Sequence, residues 1–330
     1  MKIICLTPVK NEDWILERFI RSASLWADHI IIADQNSVDG SVEIAKKFPK
    51  VILIQNDSLT FNEPDRQKLL INEARKISGR KLLVALDADE FLSSNFIESR
   101  SWNDIRKQKN GTSIYFECVN VHSSFEKYWS KGYHYYAYID DLALHVGKEI
   151  DSPRLPKENN PRRLEIRDVK VLHLQYIDME RAKYKQIWYQ CLEKTLNDQN
   201  TYLGTRKTNF YLFKRYNKIK FQINELQPLS SRWINNYLDR NIDIFLNPLN
   251  SWNPFLHYIK NLFDQYGVRH FNKLSIWDVD WNEKFRSTQY RDPRSIITKI
   301  IHKWLNNRKH LEFCPLETYI LKILEFFGIF

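Results

Sequence analysis

The sequence predicts an α/β fold: a mostly parallel sheet with helices on both faces, followed by a mainly helical C-terminal region. Three observations predict it. Strand and helix signals alternate through residues 2–91, and the strand segments are short and continuously apolar, as in sheets covered on both faces. After Asp178, helical periodicity dominates. A chain of 330 residues has room for two domains, and we expect one over 1–177 and a basic, aromatic-rich one over 178–330.

Lys2–Leu6 is the first strand, closing in a turn at Thr7-Pro8. Asn11 or Asp13 is placed to cap a helix whose Ile15, Phe19, Ala23 and Trp26 recur at helical spacing. Ile30–Ala33 is a second strand, broken by the polar run Asp34–Gly40, and Ser41–Phe48 is a short helix. Val51–Ile54 is a third strand, and Pro64–Ile77 is a helix with Leu69, Leu70, Ala74 and Ile77 on one side. Lys81–Leu86 is a fourth strand that stops at Asp87-Ala88-Asp89-Glu90. Ser113–Val121, Tyr133–Ile139 and Val169–Leu174 are further strands, with Asp151–Arg167 expected as a long loop between the last two. Met179–Leu196 opens the helical region.

Ligands of open α/β sheets gather beyond the carboxyl ends of the strands. Three polar clusters stand at three such ends: Thr7–Glu12, Asp34–Asp39 and Asp87–Glu90. Asp87 and Asp89 form an Asp-x-Asp pair, and a turn there points both carboxylates into one crevice. Hard oxygen donors with open positions suit Mg²⁺ or Mn²⁺ held jointly with a diphosphate.

Composition narrows the class. At 43% hydrophobic and 27% charged residues the chain is globular. Its 10 Trp, 17 Tyr and 19 Phe suit either a large-residue core or stacking platforms for sugars and bases. The net charge of +10 is uneven: residues 1–150 hold 20 basic against 21 acidic side chains, and residues 151–330 hold 30 against 19. An anionic partner for the second half is expected, such as a membrane surface, a phosphorylated lipid or an acidic glycan. The four cysteines are scattered, so neither a zinc site nor a disulfide framework is expected, and a reducing compartment is. MKIICLTPV lacks the design of a signal peptide, and no uncharged apolar run approaches the ~20 residues that span a bilayer. A cytoplasmic protein is expected, peripheral at the inner membrane face.

Taken together, the three clusters resemble family 2 glycosyltransferases, which have the GT-A fold. The polar turn after the first strand matches Thr7-Pro8-Val9-Lys10-Asn11-Glu12. The family's Asp-x-x-Ser-x-Asp-Gly-Ser/Thr segment matches Asp34-Gln35-Asn36-Ser37-Val38-Asp39-Gly40-Ser41, and its metal motif matches Asp87-Ala88-Asp89-Glu90-Phe91. Where the family often shows Asp-Asp-Gly-Ser, this chain has Asp34-Gln35-Asn36-Ser37, which leaves the base open. The resemblance implies a GT-A-type fold and transfer of a sugar, with inversion, from a nucleotide diphosphate sugar to a glycan or lipid-linked acceptor. Surface polysaccharide or glycolipid synthesis is the family-level setting.

By that resemblance Thr7, Pro8, Lys10, Asn11, Glu12, Asp34, Arg66 and Asp87 contact the nucleotide. Asp87, Asp89 and His173 hold the metal, His173 lying in the family-like segment Val171–Tyr176. An inverting transferase needs a carboxylate to deprotonate the acceptor hydroxyl, and the candidates are Asp151 first and Asp141 second. Arg154 follows as a support for diphosphate or an acidic acceptor. Two other classes compete. A nucleotidyltransferase wants a glycine-rich phosphate loop, and residues 7–18 contain no glycine. A nucleic-acid-binding protein would use the basic half, with strongly salt-dependent affinity, but nothing in the first half points to nucleic acid.

Overall fold

The computed structural model describes residues 1–58, 62–147, 152–156, 162–196, 226–245 and 252–306, with Tyr319 and Ile323. The chain divides into two compact units, Met1–Ile177 with Gln227–Ser251, and Asp178–Leu226 with Trp252–Phe330.

The first unit is built on one sheet. Its strands are β1 (Lys2–Val9), β2 (His29–Asp34), β3 (Val51–Gln55), β4 (Lys81–Ala85), β5 (Glu90–Leu92), β6 (Thr112–Val121), β7 (Lys127–Ile139), β8 (Arg162–His173) and β9 (Gln227–Pro228). Their order is β3-β2-β1-β4-β7-β6-β8-β5, with β9 on β7. β3, β2, β1 and β4 are mutually parallel; β7 then enters antiparallel to β4 and β6, and β6 runs parallel to β8. Ile4, Cys5, Leu6, Ile30, Ile31 and Ile32 are fully buried, as strands covered on both faces require. The helices α1 (Asp13–Ala23), α2 (Ser41–Lys46) and α3 (Glu63–Lys76) return the chain between parallel strands.

β1 runs three residues past its expected end. Leu86 N donates to Leu6 O, so Leu6 faces β4, and Pro8, two residues on, faces the same side beyond the end of β4. Its missing N–H is therefore not needed by any ladder. The register pairs Val9 with Asp34 and Leu6 with Ala85, so the three polar clusters emerge together at one end of the sheet.

α1 is capped across the fold rather than by Asn11 or Asp13 as expected. Asp39 Oδ2 accepts from Asp13 N at 3.0 Å, while its Oδ1 accepts from Ser41 N, also at 3.0 Å, in the first turn of α2. Asn11 N donates to Ser37 Oγ, Val38 N to Asn11 Oδ1 and Glu12 N to Ser41 Oγ. Asn11 and Asn36 are both left-handed, a conformation asparagine adopts at little cost. The β1–α1 and β2–α2 turns are thus one hydrogen-bonded piece. In α3, Asn62 Oδ1 accepts from Asp65 N and Pro64 occupies the first turn, as in a conventional helix start.

From β7 the chain runs back along α3. Arg75 in the last turn of α3 holds Asp140 by a 2.8 Å ion pair, and Glu63 in its first turn accepts from Ser152 N at 2.7 Å. Asp140 is thus held at the last turn of α3 and Ser152 at its first. β8 begins at Arg162, so the expected loop Asp151–Arg167 is shorter than its polar composition suggests. Asp151 itself lies outside the described residues.

The second unit has its own apolar core, formed by α4 (Met179–Leu196), the helix Pro254–Tyr266 and the segment after it, with Tyr184, Phe255, Phe263, Phe271, Trp277 and Trp281 buried in it. Phe263 and Trp277 stack with centroids 5.4 Å apart, and Trp277 Nε1 donates to Phe271 O at 2.9 Å. Among the described residues, the aromatics of this cluster therefore fill a core. The helix Ile296–Asn306 buries Thr298, Ile301 and His302 and exposes Ile296, Ile297 and Ile300. The apolar terminal segment 319–330 lies outside the described residues except at Tyr319 and Ile323. Among the described residues no helix is long and apolar enough to cross a membrane. Cys5, Cys118 and Cys191 are free thiols, and burial pushes Cys5 up to about 12 and Cys118 up to about 11.

Candidate active site

Asp34 ends β2, beside the last residue of β1. It is 2% exposed, and its Oδ2 accepts from Ser37 N at 3.1 Å. Its Oδ1 is buried and has no partner among the described residues. Buried carboxylate oxygens are nearly always satisfied, and this one has the capacity to accept a further N–H. Lys10 stands nearby: burial holds its ammonium below the usual range, and the charge of Asp34 opposes that shift. Thr7 is buried within β1, 3.5 Å from Cys5 Sγ, and Pro8 is part of the same strand. Asn11 holds the turn, and Glu12 accepts from the Trp14 indole at 2.6 Å. Arg66 lies half-buried in the first turns of α3, and its neighbours Glu63 and Asp65 bind Ser152 N and Lys68.

Beyond β4 the chain turns through Asp87-Ala88-Asp89 into β5. Asp87 Oδ2 accepts from Arg154 Nη2 at 2.6 Å. Asp89 is buried, with its Oδ2 3.7 Å from His173 Nε2 and its carbonyl accepting from Leu174 N. Of the three expected metal ligands, the structure brings Asp89 and His173 together and draws Asp87 to an arginine. Among the described residues no three His, Cys, Asp or Glu side chains gather as a closed metal cage. One carboxylate and one imidazole are donors that would fit a divalent cation taking its remaining ligands from diphosphate oxygens and water.

A part-buried ionic cluster, with Glu90 at its buried end, supports this turn. Arg154 donates to both oxygens of Glu90 as well as to Asp87, and its guanidinium lies 5.4 Å from the Tyr136 ring. Tyr136 OH donates to Glu90 Oε1 at 3.0 Å, and Asp87 N donates to Glu90 Oε2 at 2.9 Å. Burial pushes the Glu90 carboxyl up, but the charge and hydrogen bonds of Arg154 hold it below the ordinary range. Burial would lower the Arg154 guanidinium, yet Asp87 and Glu90 hold it well above its ordinary value. Glu90 and Arg154 each stand beside a motif in the sequence, but their partnership spans 64 residues, which no local pattern signals.

Asp141 is not brought to this site. Asp140 N donates to Lys81 O, and Ile139 pairs with Leu82, which puts Asp141 at the amino end of β4, opposite the Asp87–Asp89 turn. There it accepts from Tyr138 OH and Ala143 N. An antiparallel β7 is what reverses it. Asn120, which no motif signalled, lies on the Asp89 side: its Oδ1 is 2.7 Å from His173 Nδ1.

Residues 4–100 match the family model described as Glycosyl transferase family 2, a span that contains all three polar clusters. The GT-A-type α/β class expected from the resemblance is the one the parallel half-sheet and its helices show. Solved structures similar to the chain include S. aureus TarS 1-349, at 11% identity over 81% of this chain and 90% of that one, TM-score 0.36. Glucosyl-3-phosphoglycerate synthase from Mycobacterium tuberculosis, in complex with Mn²⁺, uridine-diphosphate and phosphoglyceric acid, is 18% identical over 36% of this chain and 43% of that one, TM-score 0.27. HddC from Yersinia pseudotuberculosis is 11% identical over 56% and 97%, TM-score 0.32. Likeness this distant bears on no residue of the present chain. No curated protein matches it.

Proposed function

We propose, from the premise that residues 4–100 are a glycosyl transferase family 2 segment, that this chain moves a sugar from a nucleotide diphosphate sugar to an acceptor hydroxyl in a metal-dependent, inverting reaction. The observation that carries the proposal is the pairing of Asp89 with His173 at the same strand ends as the unsatisfied Asp34 oxygen. Asp34 accepts an N–H of the base, with Lys10 beside it and Arg66 facing base or phosphate. Thr7 and Pro8 form the wall of that pocket, and Asn11 and Glu12 hold its turn. Asp87 faces the ribose, kept in place by Arg154. Asp89 and His173 would hold Mg²⁺ or Mn²⁺, which when bound offsets the charge growing on the leaving diphosphate. Asp151 takes the acceptor proton as the hydroxyl attacks; its neighbour Ser152 is anchored to Glu63 beside the donor pocket. Asp141, at the far end of β4, is not proposed for this step.

The acceptor is a glycan or a lipid-linked glycan, and the second unit is the region that selects it. We further propose that this unit rests on an anionic membrane, at its cytoplasmic face, through the exposed Ile296, Ile297 and Ile300 with Lys299.

A panel of nucleotide sugars with and without Mn²⁺, followed by release of nucleoside diphosphate, tests the function. One donor should be turned over only with metal. Asp89→Asn should abolish turnover in a folded protein, Asp34→Ala should raise KM more than it lowers kcat, and Asp151→Ala should bind donor without transferring. Full metal-dependent turnover by Asp89→Asn refutes the site.

A further inference from the structure

Asn120 is the residue that breaks an apolar run. Cys118, Val119 and Val121 on either side of it in β6 are fully buried hydrophobics, and Asn120 itself is 1% exposed. β6 and β8 are parallel, and their register sets Asn120 beside His173. Its Oδ1 lies 2.7 Å from His173 Nδ1, while its Nδ2 is buried with no hydrogen-bond partner. An amide donor buried without a partner is destabilising, a penalty that an apolar side chain in this strand would avoid. The residue is therefore present for its oxygen.

A carboxamide oxygen only accepts, so Nδ1 of His173 carries the proton and the lone pair of the neutral ring is on Nε2. Nε2 is the atom facing Asp89 Oδ2, at 3.7 Å, farther than a hydrogen bond. The opposite tautomer would direct an N–H at Asp89 and leave no lone pair for a cation. A carboxylate in place of Asn120 would fix the same tautomer, but it would add a buried negative charge near Glu90 and Asp89.

We infer that Asn120 is a positioning residue, fixing His173 as the Nδ1–H tautomer so that Nε2 and Asp89 together receive the divalent cation. This rests on the metal site proposed above. Orienting partners of metal-bound histidines are worth about 10–100-fold in metal affinity.

The test is binding, not turnover. Mn²⁺ affinity is measured by the electron paramagnetic resonance of free Mn²⁺, in the presence of whichever of UDP, GDP, CDP or dTDP most raises the wild-type Tm. Asn120→Leu should bind Mn²⁺ about 10–100-fold more weakly than wild type while keeping its metal-free affinity for the nucleotide. Asn120→Asp, which keeps the acceptor, should bind Mn²⁺ far more tightly than Asn120→Leu. Equal Mn²⁺ affinity in wild type and Asn120→Leu overturns the inference and leaves the metal site standing, as does an Asp variant no better than the Leu variant. No Mn²⁺ binding by wild type removes the metal site and this inference with it. A second measurement needs no substitution: ¹⁵N shifts of the His173 ring in the metal-free protein near pH 8 should report Nδ1–H. An Nε2–H ring overturns the inference.

Discussion

Glu90 illustrates how one residue's surroundings decide its chemistry. It is buried among Tyr136, Arg154 and the Asp87 amide, and burial alone would favour its neutral form. The guanidinium of Arg154 reverses that, so Glu90 ionises more readily in the folded protein than the ordinary ~4.3 of a glutamate. A carboxyl depressed on folding contributes stability above its unfolded value and loses it as pH falls through the lower folded value. Stability should therefore decline below about pH 4, and this part of the acid limb should vanish in Glu90→Gln. Arg154→Met leaves Glu90 charged, buried and without its cation, at a cost of roughly 3 kcal/mol. Urea unfolding of the three proteins from acid to neutral pH checks both effects; an Arg154→Met variant as stable as wild type contradicts the cluster. Such partnerships mark the limit of what a sequence discloses. Asp34, Asp87 and Asp89 are legible because apolar runs end just before them. Arg154 and Asn120 act on partners 64 and 53 residues away, and only the pairing of β4, β7, β6 and β8 brings them there.

At the scale of elements, the parallel strands and their helices are legible because each carries its own period, and β2, α3 and α4 fall within a residue or two of where periodicity puts them. The failures have local causes. Proline ends an expected strand at Leu6, although the ladder needs no donor at Pro8 once β4 has stopped. Arg162, Arg163, Glu165 and Arg167 make the first half of β8 read as loop, although an exposed strand face accepts charge. The start of α1 reads as self-capped, whereas its cap comes from the next loop. Asp39 serves two helices at once, accepting from Asp13 N and Ser41 N. Each cap is worth about 1 kcal/mol, so Asp39→Ala should destabilise by about 2 kcal/mol and Asp39→Asn, which retains one acceptor oxygen, by about half of that. Because the same loops carry Lys10 and Asp34, nucleotide affinity should weaken in step with stability. Thermal unfolding and nucleotide titration of both variants decide this; a neutral Asp39→Ala would mean that the two turns hold their shape by the Ser37 and Ser41 bonds alone.

Over the whole chain the uneven charge has a counterpart in the second unit. Among the described residues of that unit most apolar side chains are enclosed in its own core, yet Ile296 is 77% exposed, Ile300 62% and Ile297 52%. Lys299, half exposed and 3.4 Å from Asp292, stands among them, and Lys303 is exposed one turn on. Apolar side chains with lysines on one helix are the arrangement of an interfacial helix. Residues 151–330 carry 30 basic against 19 acidic side chains, so the surface it would meet is anionic rather than neutral. Each isoleucine that leaves water contributes about 1.5–3 kcal/mol if fully buried, and a lysine near an anionic surface about 1 kcal/mol. Ile296→Ser with Ile300→Ser should therefore weaken partitioning to phosphatidylglycerol-containing vesicles by tenfold or more, since about 1.4 kcal/mol is a factor of ten. Lys299→Gln should weaken it several-fold, and the lysine contribution should disappear at high salt while the isoleucine contribution persists. Phosphatidylcholine vesicles should bind less than anionic ones. Cosedimentation of the wild type and the variants at low and high salt measures all of this. Absence of binding to anionic vesicles at low salt refutes the membrane contact. If the isoleucine variants instead abolish a concentration-dependent dimer, the face belongs to a second copy of the chain.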